Sequence, residues 1–162
     1  MPVLKCLIIA CVLVASMFVL PARAELLIIP MAHEFSGGAS PQGAHPWVQI
    51  WLDDAADVGT VSIRIDLSNL VDDEFLSLLH FNLRPDFSAT NLSLEAITRH
   101  GDFMDPTIHL GRDEFKANGG GYHDILMEFA TEKAQRFGVG ESITFLASGP
   151  AGLTAGIYAV RS

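Results

Sequence analysis

Short runs in which apolar and polar residues alternate every second position constrain this chain more than any other feature. Val48, Ile50 and Leu52 alternate with Trp47, Gln49 and Trp51, and Val61, Ile63, Ile65 and Leu67 alternate with Ser62, Arg64 and Asp66. A period of two puts one set of side chains on each face of a β-strand, and the acidic turn from Asp53 to Gly59 joins the two runs as an antiparallel hairpin. Similar signals mark a short strand from Leu26 to Ile29, and others at Leu92, Leu94 and Ala96, at Ile125, Met127 and Phe129, and at Ile143, Phe145 and Ala147. Asp72 to Leu83, where Asp72 and Asp73 could also cap a helical turn, reads as mainly strand, since Phe75, Ser77, Leu79, Phe81 and Leu83 alternate with their neighbours and Pro85 ends the run. From Gly37 to Pro46 the chain is turn chemistry. Around Gly101 to Gly121 periodicity is lost, which reads as loop with at most a helical turn near Arg112 to Ala117. Phe137 to Gly140 reads as a tight turn. With no long amphipathic pattern, these segments predict an all-β fold, an antiparallel β-sandwich, with a jelly-roll arrangement equally allowed.

The first twenty-four residues read differently. Lys5 is the basic n-region, Cys6 to Leu20 is an uninterrupted apolar run, Pro21 breaks it, and Ala22-Arg23-Ala24 is a small-x-small cleavage pattern before Glu25. Residues 1–24 are therefore expected to be a signal peptide and 25–162 a single exported domain, secreted or periplasmic, with no membrane anchor left after cleavage. Both cysteines, Cys6 and Cys11, fall in the leader, so the mature domain is expected to rely on packing without disulfides.

The whole chain carries a net charge of −9, and loss of Lys5 and Arg23 makes the mature part more acidic still. The remaining basic residues are scattered singly, so nucleic acid is excluded as a partner by the absence of a clustered basic face.

Gly119-Gly120-Gly121-Tyr122-His123-Asp124-Ile125 to Phe129, Arg136-Phe137-Gly138-Val139-Gly140-Glu141-Ser142 and Gly152-Leu153-Thr154-Ala155, with Leu79-His80-Phe81-Asn82-Leu83, carry a resemblance. These segments resemble the exported β-sandwich domains of Gram-negative bacteria that end in a PEP-CTERM sorting signal. The resemblance implies a sandwich fold and export, and brings no catalytic or binding residues with it. It also implies a further glycine-rich strand, a Pro-Glu-Pro box, a membrane stretch and an arginine cluster beyond Ala155; the sequence given stops at Ser162 without them. On that comparison the domain is expected to be released rather than held, and the presence of its last strand stays open.

Candidate sites are few. Asp53, Asp54 and Asp57 on a hairpin tip offer oxygens for Ca²⁺, though without the glycine and terminal glutamate of an EF-hand, and a solvated acidic tip competes with that reading. His100, Asp102, Asp105 and His109 form the densest imidazole and carboxylate cluster for a metal, against scattered surface histidines as the alternative. Trp47 and Trp51 share one period-2 face and form a candidate aromatic platform for sugars, with core packing as the rival. No Gly-x-Ser-x-Gly elbow supports a serine hydrolase. The sequence thus points to a non-catalytic, cofactor-free envelope, matrix or adhesion domain with surface polysaccharide as a candidate partner. A carbohydrate- or Ca²⁺-binding module is the first alternative, and a metal-dependent hydrolase working through the His100 to His109 loop is the second.

Overall fold

The computed structural model describes residues 24–33, 39–54, 57–117 and 119–159. The expected leader up to Arg23, including both cysteines, lies outside the described residues, as does the tip at 55–56.

Alternation becomes strands where the sequence places it. The strands are β1 (Leu26–Met31), β2 (Val48–Asp53), β3 (Thr60–Asp66), β4 (Phe75–Leu76), β5 (Leu78–Leu83), β6 (Ser93–His100), β7 (Thr107–Ala117), β8 (Gly121–Glu128), β9 (Phe137–Gly138), β10 (Ser142–Ser148) and β11 (Tyr158–Ala159). They form a five-stranded sheet in the order β1-β2-β3-β10-β6 and a four-stranded sheet in the order β11-β5-β8-β7, with β4 and β9 as a separate ladder. Every pairing is antiparallel. The fold is all-β, as expected. The β2–β3 hairpin closes with Asp53 opposite Ser62 and Gln49 opposite Asp66.

The core lies between the two sheets. Val48, Ile50 and Leu52 of β2, Val61, Ile63 and Ile65 of β3, and Ile143, Phe145 and Ala147 of β10 face Leu79, Phe81 and Leu83 of β5 and Ile125 and Met127 of β8 in one buried cluster. Burying a side chain of this size contributes roughly 1.5–3 kcal/mol, so the alternation itself drives the two sheets together.

Two expectations are corrected. The stretch read as loop from Gly101 to Gly121 contains β7, the longest strand among the described residues. Its alternation was hidden by a bulge: Leu110 pairs with Ile125 but Phe115 pairs with His123, so extra residues between them are looped out and Asp113 takes a positive φ of 49°. The run from Phe75 to Leu83 is not one strand. It breaks at Ser77, and Phe75–Leu76 leaves the main sheet to pair with Gly138 and Phe137.

The free edges of the five-stranded sheet differ. On β6 the register shifts between Thr144 and Phe145, which face Thr98 and Ala96, and leaves Ile97 as an extra residue. That bulge, with Glu95 and Arg99 on the same strand, works against pairing with another sheet. The β1 edge has no charge, and Pro30 removes one of its donors.

Candidate functional site

The outward face of the five-stranded sheet collects an array of polar side chains. Register sets it out in rows that cross the strands. Ile28 lies opposite Trp51, Trp51 opposite Arg64, Arg64 opposite Thr144, and Thr144 opposite Thr98. The next row runs Pro30, Gln49, Asp66, Ser142 and His100. Period-2 geometry makes this inevitable once the alternate apolar residues face inward.

Over β3, β10 and β6 the rows border an open cleft of ≈490 Å³ lined by Arg64, Asp66, Thr98, His100, Ser142 and Thr144. Arg64 Nη2 donates to Asp66 Oδ2 at 3.0 Å, and its guanidinium lies 5.6 Å from the centroid of the Trp51 ring. Burial pushes the Asp66 carboxyl up, but hydrogen bonds from Ser68 and Arg64 outweigh it and hold the group below its ordinary value. Asp66 therefore stays a carboxylate and fixes Arg64, leaving the other guanidinium N–H groups for a ligand. Hydroxyls of Thr98, Thr144 and Ser142 are both donors and acceptors. Such a surface suits hydroxyl-rich ligands bound across several strands.

The residues singled out in the sequence distribute as follows. Trp51 is half-buried on this face between Ile28 and Arg64. Trp47 does not join it: it precedes β2, turns into the core at 7 % exposure, and donates its indole N–H to Gly43 O at 2.9 Å. The two tryptophans thus make no shared platform, because the alternation breaks at the strand's first residue.

His100 sits at the cleft's rim, whereas His109 belongs to β7 in the other sheet, where Nε2 lies 2.8 Å from Glu128 Oε2. Asp105 pairs with Arg99 at 3.2 Å, and the Asp102 backbone N–H donates to Glu141 Oε1 at 3.0 Å. The expected metal cluster is not assembled.

Asp53, Asp54 and Asp57 also diverge. Asp54 accepts backbone N–H groups from Glu25 and Ala155 on its two oxygens, Asp53 lies opposite Ser62 on the sheet, and the Asp57 carbonyl closes the turn by accepting from Thr60. Among the described residues no group of three or more His, Cys, Asp or Glu is placed to hold a metal ion.

Arg64, Asp66, Thr98, Ser142 and Thr144 were not picked out as a site from the sequence. Their signal was present in the polar half of each alternation, but which strands are neighbours is not written there. Compared with known proteins, the chain matches no family model, no curated protein and no solved structure.

A second polar cluster lies on the four-stranded sheet. The rings of His80 and His123 are 5.1 Å apart. His123 is buried, and neither of its ring nitrogens completes a well-formed hydrogen bond. Burial holds both imidazoles below their ordinary pKa; the neighbouring His123 charge adds to this at His80, with Glu128 opposing, while Asp124 and the Gly120 backbone oppose it at His123. Because the folded pKa values are depressed, the unfolded chain takes up protons first as pH falls. The contribution to stability is present above the ordinary histidine range near pH ~6.5 and is lost as pH drops toward the folded values, by at most about 1.4 kcal/mol per pH unit for each histidine. Thermal melts from pH 7.5 to 5 are expected to show this fall, and replacing His80 and His123 together with glutamine to flatten it. An unchanged slope in the double variant would contradict the assignment.

Proposed function

We propose that this chain is a non-catalytic exported β-sandwich module of the cell envelope or extracellular matrix that holds polysaccharide on the outward face of its five-stranded sheet. The supporting observation is the pair of cross-strand rows, Trp51-Arg64-Thr144-Thr98 and Gln49-Asp66-Ser142-His100, which present an aromatic ring, a guanidinium and several hydroxyls on one open surface. Export follows from the leader pattern and from the resemblance to PEP-CTERM-type domains. Ca²⁺ binding at the Asp53 to Asp57 turn is the weaker reading, since both Asp54 oxygens are already engaged by backbone N–H groups.

Titration with a panel of neutral and acidic glycans, followed by tryptophan fluorescence, is the test. Trp51 is expected to report binding and buried Trp47 to stay silent, so the response should vanish in Trp51→Phe. Arg64→Ala is expected to weaken binding about five- to tenfold, the equivalent of roughly 1–1.4 kcal/mol. Its effect on stability should stay below about 1 kcal/mol, because the Arg64 to Asp66 pair is largely exposed on the arginine side. Absence of any response across the panel would sink the proposal.

A further inference from the structure

Glu25, the first residue after the expected cleavage point, is held by a single carboxylate. Its backbone nitrogen lies 2.6 Å from Asp54 Oδ1, and the Asp54 N–H donates back to Glu25 O at 3.2 Å. The other oxygen, Asp54 Oδ2, accepts the Ala155 N–H at 3.0 Å, from 101 positions further along the chain. The Glu25 side chain also reaches this turn: a Cβ built on Gly156 would lie 3.0 Å from Glu25 Oε2. Asp54 thus joins the start of β1, the end of β2 and the turn that leads into β11.

Cleavage changes the chemistry of the first of these bonds. In the precursor the donor is a neutral amide. When water adds to the Ala24 carbonyl and the C–N bond breaks, Ala24 departs as a carboxylate and the Glu25 nitrogen gains protons to become an ammonium. The same nitrogen then offers three N–H donors and a positive charge, and hydrogen bonds between charged partners are about twice as strong as neutral ones.

We infer that Asp54 is the docking site for the N-terminal ammonium created by leader removal, so that processing itself tightens the sandwich. The inference rests on the export reading, since without cleavage after Ala24 this ammonium does not form. It gives the chain a useful asymmetry: the precursor lacks an interaction that the cleaved product gains.

The full-length precursor, exported and processed in a bacterial host, tests it alongside a variant with one serine inserted between Ala24 and Glu25. The insertion moves the new ammonium by one residue, up to ~3.8 Å along the chain. Near pH 7 the wild-type product is expected to melt about 4 °C above the inserted one. The gap should close in an Asp54→Asn background, and above about pH 9, where the α-amine loses its proton. Intact mass fixes the first residue. A product that does not begin at Glu25 overturns the inference together with the export reading it rests on, whereas a product that does begin there and shows equal melting points overturns the docking alone. Should a variant not fold, titration of the wild-type α-amine decides: docking to a carboxylate raises its pKa above the usual value near ~8, and an ordinary value overturns the proposal.

Discussion

Replacing Phe137 with alanine is expected to cost about 4 kcal/mol of folding stability. The ring is fully buried, stacks on Phe129 at a centroid distance of 4.9 Å, and tilts against Phe103 at 4.5 Å. Truncation removes the transfer energy of the ring and also opens a cavity, because its two aromatic neighbours come from separate segments, Phe103 in the β6–β7 connection and Phe129 just past the end of β8. The β4–β9 ladder has only two residue pairs, one of them Phe137 with Leu76, so its few hydrogen bonds cannot hold that corner without the packing. Urea denaturation of Phe137→Ala and wild type would measure the difference, with the slope expected to be unchanged. Val139→Ala, two residues away and exposed, should stay within about 0.5 kcal/mol. A loss below about 1 kcal/mol for Phe137→Ala would mean that this aromatic corner does not close the sandwich.

Phe137 also shows where the sequence is legible. Its neighbours Gly138 and Gly140 made the segment read as a tight turn, and Gly140 does turn with a positive φ of 75°. The aromatic residue ahead of them is core, because a two-residue strand is too short to produce any alternation. By contrast β2, β3, β8 and β10 are long enough to show the period at their apolar inward residues, such as Ile50, Ile63, Ile125 and Phe145, although the buried polar pair His123 and Asp124 of β8 carries no such signal. β7 failed for a different reason. Its bulge between Leu110 and Phe115 shifts the phase midway, and a shifted alternation looks like none. For the site, the sequence showed polar residues opposite apolar ones along each strand. It could not show that β10, which begins only at Ser142, long after β3 ends at Asp66, lies between β3 and β6, and that placement alone brings Arg64, Thr144 and Thr98 into one row. The Asp53 to Asp57 and His100 to His109 clusters misled because nearness along a chain says little about convergence in an antiparallel fold.

Asp124→Ala should cost nearly as much as the loss of Phe137, about 3 kcal/mol, for a polar reason. Asp124 is 7 % exposed on β8. Its Oδ2 accepts the Leu83 N–H at the end of β5, and its Oδ1 accepts the Asp113 N–H within the β7 bulge, both at 2.8 Å. The ladder between β5 and β8 ends at Phe81 with Ile125, so beyond it the carboxylate stands in for the ladder on both sides of its own strand. Alanine leaves two backbone donors without partners, at roughly 1–3 kcal/mol for a buried group, with the exposed setting of Asp113 placing that half at the low end. Asp124→Asn keeps the shape but turns an amide donor toward one of the two N–H groups, and should fall between alanine and wild type. Hydrogen exchange separates this mechanism from a general loss of stability: the amides of Leu83 and Asp113 should lose protection in Asp124→Asn before those of Ile63 or Phe145 do. Uniform loss across all four would show that Asp124 acts on the whole fold, and not as the clamp that lets β5 and β7 separate from β8 without exposing their backbone.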